Sequence, residues 1–210
     1  TDSVKVICND NRLDVRILGG LKQNNPADVM RGEETQIRGF LSIFSNFDGI
    51  ICLPGTHTKW VQVSAGEVIS FCTFMSGELF ALMSEYSVLK HSVNSDGWTH
   101  QEFKSAVSES ISNPQKLFSD FFKLRADDLL NKVEKSVLRS KLSGYIIGTE
   151  LAGAKPYWLG QNIVILAKGD LSKVYTAALE GQGVFAQEVD ATKCTLDGLT
   201  KAFSLIHGKF

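Results

Sequence analysis

The amino-acid sequence predicts a layered α/β domain built on a mixed sheet. Three short apolar runs between Ile50 and Phe74 are separated by turns, which is typical of an antiparallel meander. In the last third of the chain, strand-like runs at Ile163–Ala167 and Val184–Val189 alternate with helical patterns. Hydrophobic residues make up 43% of the chain and charged residues 21%, so the composition is that of an ordinary globular protein.

The first 45 residues predict two strands, a loop and a helix. Apolar residues alternate with polar ones from Val4 to Cys8 and again from Val15 to Ile17, on either side of a polar turn. Gly19, Gly20 and the run Asn24–Pro26 then indicate a loop. From Asp28 to Gln36 the sequence is acidic, and apolar positions at helical spacing follow up to Phe44, so we expect a helix with an acidic first turn.

The centre of the chain predicts the meander and then a block of helices. The strands are Ile50–Leu53, Trp60–Ser64 and Val68–Phe74, and Ser76 is a candidate N-cap for the helix that follows. Residues from about 90 to 143 are helical in pattern, with a turn at 94–97 and a break at 113–114. A stripe in this block is expected to lie in the core, and it comprises Leu117, Phe118, Phe121, Phe122 and Leu124. A long helix is expected to end near Ala152.

The C-terminal third predicts alternating strands and helices. A helix should begin at Asp170 or the next residue and stop at Gly181 or Gly183, after the buried strand Ile163–Ala167. The strand Val184–Val189 and a terminal helix from Thr195 to His207 complete the chain. The pattern of that helix predicts that Leu196, Leu199, Phe203 and Ile206 point inward.

Charge and composition exclude several classes of partner. The formal net charge is −1 and the basic residues are scattered, so we expect no nucleic acid partner. No apolar stretch reaches the roughly 20 residues that a transmembrane helix needs, and no secretory signal is visible, so we expect no membrane partner. The four cysteines form no C-x-x-C pair, which favours free thiols in a reducing cytoplasm over a disulfide or a redox site.

The segment LPGTHTKW, from Leu53 to Trp60, is the first candidate site. Gly55 lets the backbone turn sharply between two strands and approach a ligand closely. Amide groups of such a turn, with the hydroxyls of Thr56 and Thr58, can donate hydrogen bonds to phosphate oxygens. Lys59 could add a positive charge or point away along the strand. Since a polar hairpin turn has the same residue types, phosphate binding and a simple turn both stay open.

The segment RGEETQ is the second candidate site. Glu33 and Glu34 follow Gly32 at the start of the predicted helix. Phosphoryl transfer needs a group that orients the nucleophilic hydroxyl, and a carboxylate there could act as general base. Acidic residues also favour the first helical turn because of the helix dipole, so a purely structural role is the alternative.

Other residues carry weaker signals. Gly148 and Glu150 lie near the end of a helix, and Gly169 follows the strand Ile163–Ala167, at the strand end where open α/β sheets bind ligands. The four histidines have no metal-ligand spacing, so no metal site is predicted from the residues. No nucleophile elbow, Ser/His/Asp pattern or G-x-G-x-x-G is visible.

Taken in order, five segments resemble the 2-dehydro-3-deoxygalactonokinase family. They are DVMRGEETQIRGFL, ICLPGTHTKWVQV, FCTFMSGELFALM, LSGYIIGTELAGA and the strand and helix from Val164 to Leu179. The resemblance runs from about Asp28 to the C-terminus, and MRGEETQ and LPGTHTKW are its specific parts. It implies the fold of acetate and sugar kinases, heat-shock chaperones and actin, with two ribonuclease-H-like lobes around a cleft.

This resemblance also implies an activity and roles for the candidate residues. The family transfers the γ-phosphate of ATP, with Mg²⁺, to the 6-hydroxyl of the sugar acid 2-dehydro-3-deoxy-D-galactonate. Gly55, Thr56 and Thr58, with Lys59, would form the second phosphate-binding turn, and Glu33, or else Glu34, would be the base. Gly148, Glu150 and Gly169 would lie on the nucleotide side, although Ala167-Lys168-Gly169 departs from the Gly-Gly or Gly-Ser of related kinases.

The resemblance further implies a division of the chain. Residues 46–210 would be a complete C-terminal lobe with a helical insertion at about 90–143, and residues 1–45 a remnant of a first lobe. No D-x-G-T-T-N-like turn precedes Asp28 and the chain begins with Thr1, so we expect further residues before it. Two alternatives are a kinase of another sugar acid on this fold and a non-catalytic regulatory protein that binds a sugar acid. A homodimer through the insertion helices is a further possibility beside an intramolecular role for them.

Overall fold

Two antiparallel hairpins open the part of the chain, residues 3–208, that the computed structural model describes. Strand β1 (Ser3–Val6) pairs with β2 (Val15–Leu18), which confirms the first two predicted strands, and β3 (Leu21–Asn24) pairs with β4 (Ala27–Met30). The prediction of a loop followed by a helix from Asp28 is therefore wrong in this stretch, because it missed the second hairpin.

The side chain of Asp28 explains why residues 27–30 are extended. Its carboxylate accepts hydrogen bonds from the backbone amide of Thr73, at 2.8 Å, and from the Thr73 hydroxyl, at 2.7 Å. In the same way the Gln23 side chain accepts from the Phe71 amide at 3.1 Å. The second hairpin is thus fastened to a strand about 45 residues further along the chain, and short-range pattern carries no trace of that contact.

The remaining helices and strands follow the predicted order. Their bounds are α1 (Glu33–Ile43), β5 (Gly49–Leu53), β6 (Thr58–Ser64), β7 (Glu67–Phe74), α2 (Ser76–Ala81), α3 (Lys90–Val93), α4 (His100–Ser112), α5 (Leu117–Asn131), α6 (Lys135–Gly153), α7 (Lys155–Trp158), β8 (Ile163–Ala167), α8 (Asp170–Glu180), β9 (Gln187–Asp190) and α9 (Ala191–His207). A π-helical turn at 82–86 follows α2, and a 3-10 turn at 114–116 precedes α5. Among the described residues 3–208, none of these helices combines the length and apolarity that crossing a bilayer requires.

Five strands form one mixed sheet in the order β7-β6-β5-β8-β9. The pairs β5–β6 and β6–β7 are antiparallel, as the meander predicted, whereas β5–β8 and β8–β9 are parallel. The mixed α/β sheet is therefore confirmed. Strand β9 is shorter than predicted and begins at Gln187 instead of Val184.

Side chains alternate between the two faces of this sheet, as the period of a strand requires. On one face Ile50, Cys52 and Trp60 pack with helices α4, α6 and α8 in one apolar cluster. On the other face Ile51 and Leu53 pack with Met30, Ile37 and Phe40 in a second cluster. Helix α1 thus lies on the same sheet as the proposed C-terminal lobe, and a domain boundary at residue 45 stays a prediction.

Helices α1 and α9 pack closely through two glycines. A Cβ atom on Gly39 would lie 1.8 Å from the Cys194 carbonyl oxygen, and one on Gly198 would lie 2.0 Å from that of Thr35. The predicted inward face of the last helix is therefore wrong, because small residues and not large ones meet α1. Three of the residues predicted to be buried are about half exposed or more: Leu196, Leu199 and Phe203.

The helical block confirms its predicted break and turns but not its whole core stripe. Phe121 and Leu124 of α5 are buried in a third apolar cluster with Leu138 and Leu142 of α6. Phe118 and Phe122 are instead 82% and 68% exposed. Helix α5 contacts its neighbours along only one side, so the opposite side of the aromatic stripe faces outward. Ser76 is the first helical residue of α2 and does not cap it with its side chain.

Candidate active site

The turn between β5 and β6 rests against the first turn of α2. The Glu78 amide donates to the Thr56 carbonyl oxygen at 2.9 Å, and a Cβ on Gly77 would come within 2.3 Å of the Gly55 carbonyl oxygen. Gly77 therefore permits a contact that any side chain would block. Space opens above Gly55, where an added Cβ would meet no atom within 4 Å. The backbone of the turn is thus fixed on the side of α2, and the side at Gly55 is open.

Lys59 connects the two candidate segments. Its side chain is only 5% exposed, and its Nζ lies 3.3 Å from Oε1 of Glu33. The same ammonium group donates to the His57 carbonyl oxygen at 3.2 Å. The lysine therefore does not point away into solvent. It fixes the start of α1 beside the turn, so that GEETQ and LPGTHTKW lie next to each other.

The two adjacent glutamates face different surroundings. Glu33 has 25% of its side chain exposed and lines an open groove together with His57 and Lys59. Glu34 is buried, where Oε2 accepts from the Gly32 amide at 2.6 Å and Oε1 accepts from the Thr35 hydroxyl at 3.2 Å. Because its oxygens bind the chain next to it, Glu34 stabilises the helix start, and Glu33 is the carboxylate that a ligand can reach.

Thr58 belongs to a buried polar network and not to the open side of the turn. Its hydroxyl lies 2.8 Å from that of Tyr175, which donates to Oε2 of Glu150 at 2.8 Å. Trp60 Nε1 donates to the other oxygen of Glu150, also at 2.8 Å. The Thr58 side chain has no exposed surface. In this arrangement Thr58 supports the strand below the turn, and open space lies beside Gly55.

Glu150 is the centre of that network. Burial raises the pKa of its carboxyl above the ordinary value, while hydrogen bonds from Ser76, Trp60, Tyr175 and Thr58 act in the opposite direction. Burial also raises the pKa of the Tyr175 hydroxyl, and the nearby Glu150 charge adds to that effect. The network ties the turn, through Ser76 and Thr58, to helices α6 and α8. Glu150 is therefore an interior residue beneath the turn and does not lie on a surface that a ligand can reach.

Gly148 and Gly169 differ in kind. A Cβ on Gly148 would lie 2.5 Å from the Val107 carbonyl oxygen, so this glycine serves the close contact of α6 with α4. Gly169 has φ 67° and ends the link between β8 and α8, with open space around it. A left-handed backbone at this point is one that glycine adopts at no steric cost. Of the two, only Gly169 has open space beside it, and the next residue, Asp170, lines the cavity described below.

Two cavities are lined by residues of the segment from Gly55 to Lys59. The larger has a volume of about 700 Å³ and extends from Gly55 and Gly77 to Asp170 at the start of α8, with an apolar wall that includes Phe80 and Ile147. The second is the groove of about 540 Å³ that contains Glu33, His57 and Lys59. Ligand pockets commonly fall in the range of roughly 300–1,000 Å³. Each cavity therefore has the volume of a small-molecule site, and the segment from Gly55 to Lys59 contributes to both.

Some site residues carry no signal in the sequence. Tyr175 occupies an ordinary position in an amphipathic helix, and Trp60 follows a strand pattern. Their roles depend on Glu150, which is 90 residues from Trp60 in the chain. His57 is part of LPGTHTKW, yet its contact with Glu78, at 2.5 Å, links it to α2 and could not be inferred from spacing. Within residues 3–208, no three His, Cys, Asp or Glu side chains converge as metal ligands.

Comparisons with known proteins give this arrangement a context. The family model described as 2-keto-3-deoxy-galactonokinase matches residues 2–202. A Rhizobium meliloti (strain 1021) protein named "Probable 2-dehydro-3-deoxygalactonokinase DgoK1" is 37% identical over 195 residues, which are 90% of this chain and 64% of the relative. The 2-dehydro-3-deoxygalactonokinase of Escherichia coli (strain K12) is 29% identical over 157 residues, covering 74% of this chain and 53% of that protein.

A solved structure with a related name also resembles this chain. A crystal structure from Sinorhizobium meliloti that carries the same enzyme name superposes with a TM-score of 0.90 at 35% identity. The match covers 98% of this chain and 70% of the solved one. The chain therefore spans a little more than half to about two thirds of the length of the curated relatives that it matches.

Proposed function

Because the chain belongs to the 2-keto-3-deoxy-galactonokinase family, we propose that it carries part of the active site of an ATP-dependent kinase for 2-dehydro-3-deoxy-D-galactonate. The observation that supports this most directly is the 3.3 Å contact between Lys59 and Glu33. It joins a phosphate-binding type of turn to a reachable carboxylate. A kinase needs that combination, because the donor phosphate and the acceptor hydroxyl must meet in one geometry.

ATP would occupy the larger cavity. The apolar wall at Phe80, Ile147 and Val174 suits a base, and the exposed backbone at Gly55 suits the terminal phosphates. The start of α8, an 11-residue helix entered through Gly169, adds the positive end of a helix dipole to the same cavity. This placement keeps Gly55, Thr56 and Gly169 in their predicted roles, while Thr58, Gly148 and Glu150 act by positioning.

The sugar acid would occupy the groove of Glu33. In this proposal the Glu33 carboxylate accepts the proton of the 6-hydroxyl as that oxygen forms a bond to the γ-phosphorus of ATP. The bond between the γ-phosphorus and the bridging oxygen breaks, and ADP leaves. Lys59 holds Glu33 in position and keeps a positive charge close to the phosphates. Because a hydroxyl is a weak nucleophile, orientation and charge neutralisation supply most of the rate enhancement.

Mg²⁺ is proposed only as an ion that binds together with the phosphates of ATP. The ion is held largely by substrate phosphates, water and one or two carboxylates in kinase sites. Glu33 is engaged with Lys59, and the described residues bring no second carboxylate to the groove. An ion that accompanies the nucleotide would instead lie in the larger cavity, where Asp96 and Asp170 would hold it and the ion would neutralise phosphate charge.

We also propose a fold family, a cellular compartment and a dimer surface for the protein. The order β7-β6-β5-β8-β9, with only β6 antiparallel to its two neighbours, agrees with a ribonuclease-H-like lobe of the actin type. All four cysteines are free, which suits a reducing cytoplasm. Phe118 and Phe122 are exposed on the outward side of α5, and this is the surface that a homodimer, which the sequence left as one possibility, would use.

An assay of ADP release tests the proposed function. The full-length protein is given ATP, Mg²⁺ and 2-dehydro-3-deoxy-D-galactonate, and in parallel a panel of other sugar acids. We expect fastest turnover with this acid and a product that carries phosphate on O6, as seen by phosphorus–proton coupling in NMR spectra. Turnover of a different acid would favour the related kinase, and binding without turnover would favour a regulatory protein.

A further inference from the structure

The groove that contains Glu33 has more basic than acidic side chains, unlike the chain as a whole. Three basic side chains, those of Lys22, Arg31 and Lys59, line it beside a single carboxylate, Glu33. The whole chain has a formal net charge of −1, so the excess of positive charge is local. Lys59 is paired with Glu33, which leaves the other two cations to define the charge that a ligand would meet.

Within the described part of the chain, Arg31 and Lys22 have no anionic partner of their own. Among residues 3–208, the Arg31 guanidinium and the Lys22 ammonium group make no salt bridge and no side-chain hydrogen bond. Most other arginines of the described chain do make such contacts. Both residues are exposed to the groove. Unpaired cations in a concave site attract an anion, and a guanidinium offers a planar fork that matches a carboxylate.

The backbone of Arg31 is held in place beside the proposed base. Its amide donates to Oε2 of Glu33 at 3.2 Å, so the two residues share one hydrogen bond. Gly20 packs against it, since a Cβ there would lie 2.3 Å from the Met30 carbonyl oxygen and 3.5 Å from the Arg31 Cα. Gly32, with φ 112°, then turns the chain into α1. Arg31 thus presents its side chain from a fixed position two residues before Glu33.

From this geometry we infer that Arg31 binds the carboxylate of the acceptor, with Lys22 as a secondary cation, and so selects a sugar acid over a neutral sugar. The inference rests on the proposed function, because it assigns the acceptor to this groove. The acid carries its carboxylate at one end and its reacting hydroxyl at the other. Arg31 and Lys22 would hold the first end while Glu33, next to the turn, meets the second.

The same charge could serve the γ-phosphate of ATP instead, and the test separates the two anions. Kinetics and calorimetric binding are measured for wild type, Arg31→Gln and Arg31→Lys with the acid, with its uncharged methyl ester, and with ATP. Arg12→Gln is the matched control, because Arg12 is an exposed arginine that pairs with Asp10 in the first hairpin. Thermal unfolding verifies that each variant is folded.

We expect Arg31→Gln to raise KM for the acid by about 10-fold or more, since charge-assisted hydrogen bonds are the strong ones, and to leave KM for ATP within about 2-fold. Wild type should prefer the acid to the ester, and Arg31→Gln should lose that preference. Arg31→Lys should recover part of it, and Arg12→Gln should behave as wild type.

Two results would overturn the inference. One is an Arg31→Gln variant that still distinguishes acid from ester as strongly as wild type does. The other is a rise in KM for ATP as large as that for the acid, which would assign Arg31 to the phosphate. If wild type turns over no acid at all, the proposed function fails separately. Calorimetry still decides then, because weaker binding of the acid, but not of the ester, to Arg31→Gln supports the inference and equal binding refutes it.

Discussion

Replacing Lys59 by methionine isolates the contact that joins the two halves of the site. Methionine keeps an unbranched apolar stem of similar length, so the change removes the ammonium group with little loss of packing. Two interactions disappear: the 3.3 Å ion pair with Glu33 and the 3.2 Å hydrogen bond to the His57 carbonyl oxygen. What remains is a Glu33 carboxylate with its counter-charge removed.

The structure sets the size of the effect. Breaking a fully buried ion pair by deleting one partner costs about 3–5 kcal/mol, because the other charge is left desolvated. The Lys59 side chain is 5% exposed but that of Glu33 is 25% exposed, so water can reach the remaining carboxylate. We therefore expect Lys59→Met to lower the free energy of unfolding by about 2–3 kcal/mol, below the range for a buried pair.

A double-mutant cycle measured by urea denaturation at neutral pH provides the assay. The cycle comprises wild type, Lys59→Met, Glu33→Gln and the double variant, and we expect a coupling free energy of about 1–2 kcal/mol. Lys22→Met is the matched control, since Lys22 lines the same groove without an ion-pair partner in the described part of the chain. Its cost should stay within about 0.5 kcal/mol. Two results would refute the proposed link between turn and helix. One is that the stability changes of the two single variants add up to that of the double variant, and the other is that Lys59→Met lowers the free energy of unfolding no more than Lys22→Met does.

Three further perturbations test the fold and its buried charge. Gly39→Ala should lower stability by about 1–3 kcal/mol or more in urea denaturation, because its Cβ would meet the Cys194 carbonyl oxygen at 1.8 Å; an unchanged midpoint would contradict the close helix crossing. Burial raises the pKa of the Glu150 carboxyl, so the folded state keeps this proton to a higher pH than the unfolded state does. The free energy of unfolding of wild type should therefore fall, relative to that of Glu150→Gln, as pH rises from about 4.5 through the raised pKa. A pH-independent difference between the two proteins would exclude that account. Asp28→Ala should remove the hydrogen bonds to Thr73 and expose the second hairpin to rapid amide exchange, while Asp28→Asn should preserve part of the protection.

Local sequence pattern predicted those parts of the fold that short-range periodicity determines. The buried strands Ile50–Leu53 and Ile163–Ala167 carry continuous apolar runs bounded by turn residues, so their positions were predictable to within a residue. The hairpin at 21–30 was not predictable, because its strands are only four residues long and depend on Asp28 and Gln23 reaching β7. The inward face of α9 was mispredicted for the opposite reason, since glycines rather than large residues decide how it meets α1.

The candidate site shows a similar division between local and distant causes. LPGTHTKW and RGEETQ were recognisable as segments, but their adjacency depends on the Lys59 side chain, whose direction the sequence left open. Glu33 and Glu34 are equivalent in sequence and differ only after folding, when one carboxylate binds the Gly32 amide and the other faces the groove. The role of Thr58 likewise depends on Tyr175, 117 residues away.

The most direct test of the proposed active site compares Glu33→Gln with Glu34→Gln in the full-length protein. Loss of a general base lowers the rate by about 10²–10⁴-fold, so Glu33→Gln should lose that much of kcat with 2-dehydro-3-deoxy-D-galactonate while ATP still binds. Glu34→Gln keeps an oxygen that can accept from the Gly32 amide and should retain most of the activity of wild type. A Glu33→Gln variant with wild-type kcat, or an inactive but folded Glu34→Gln variant, would contradict the assignment of Glu33 as the base.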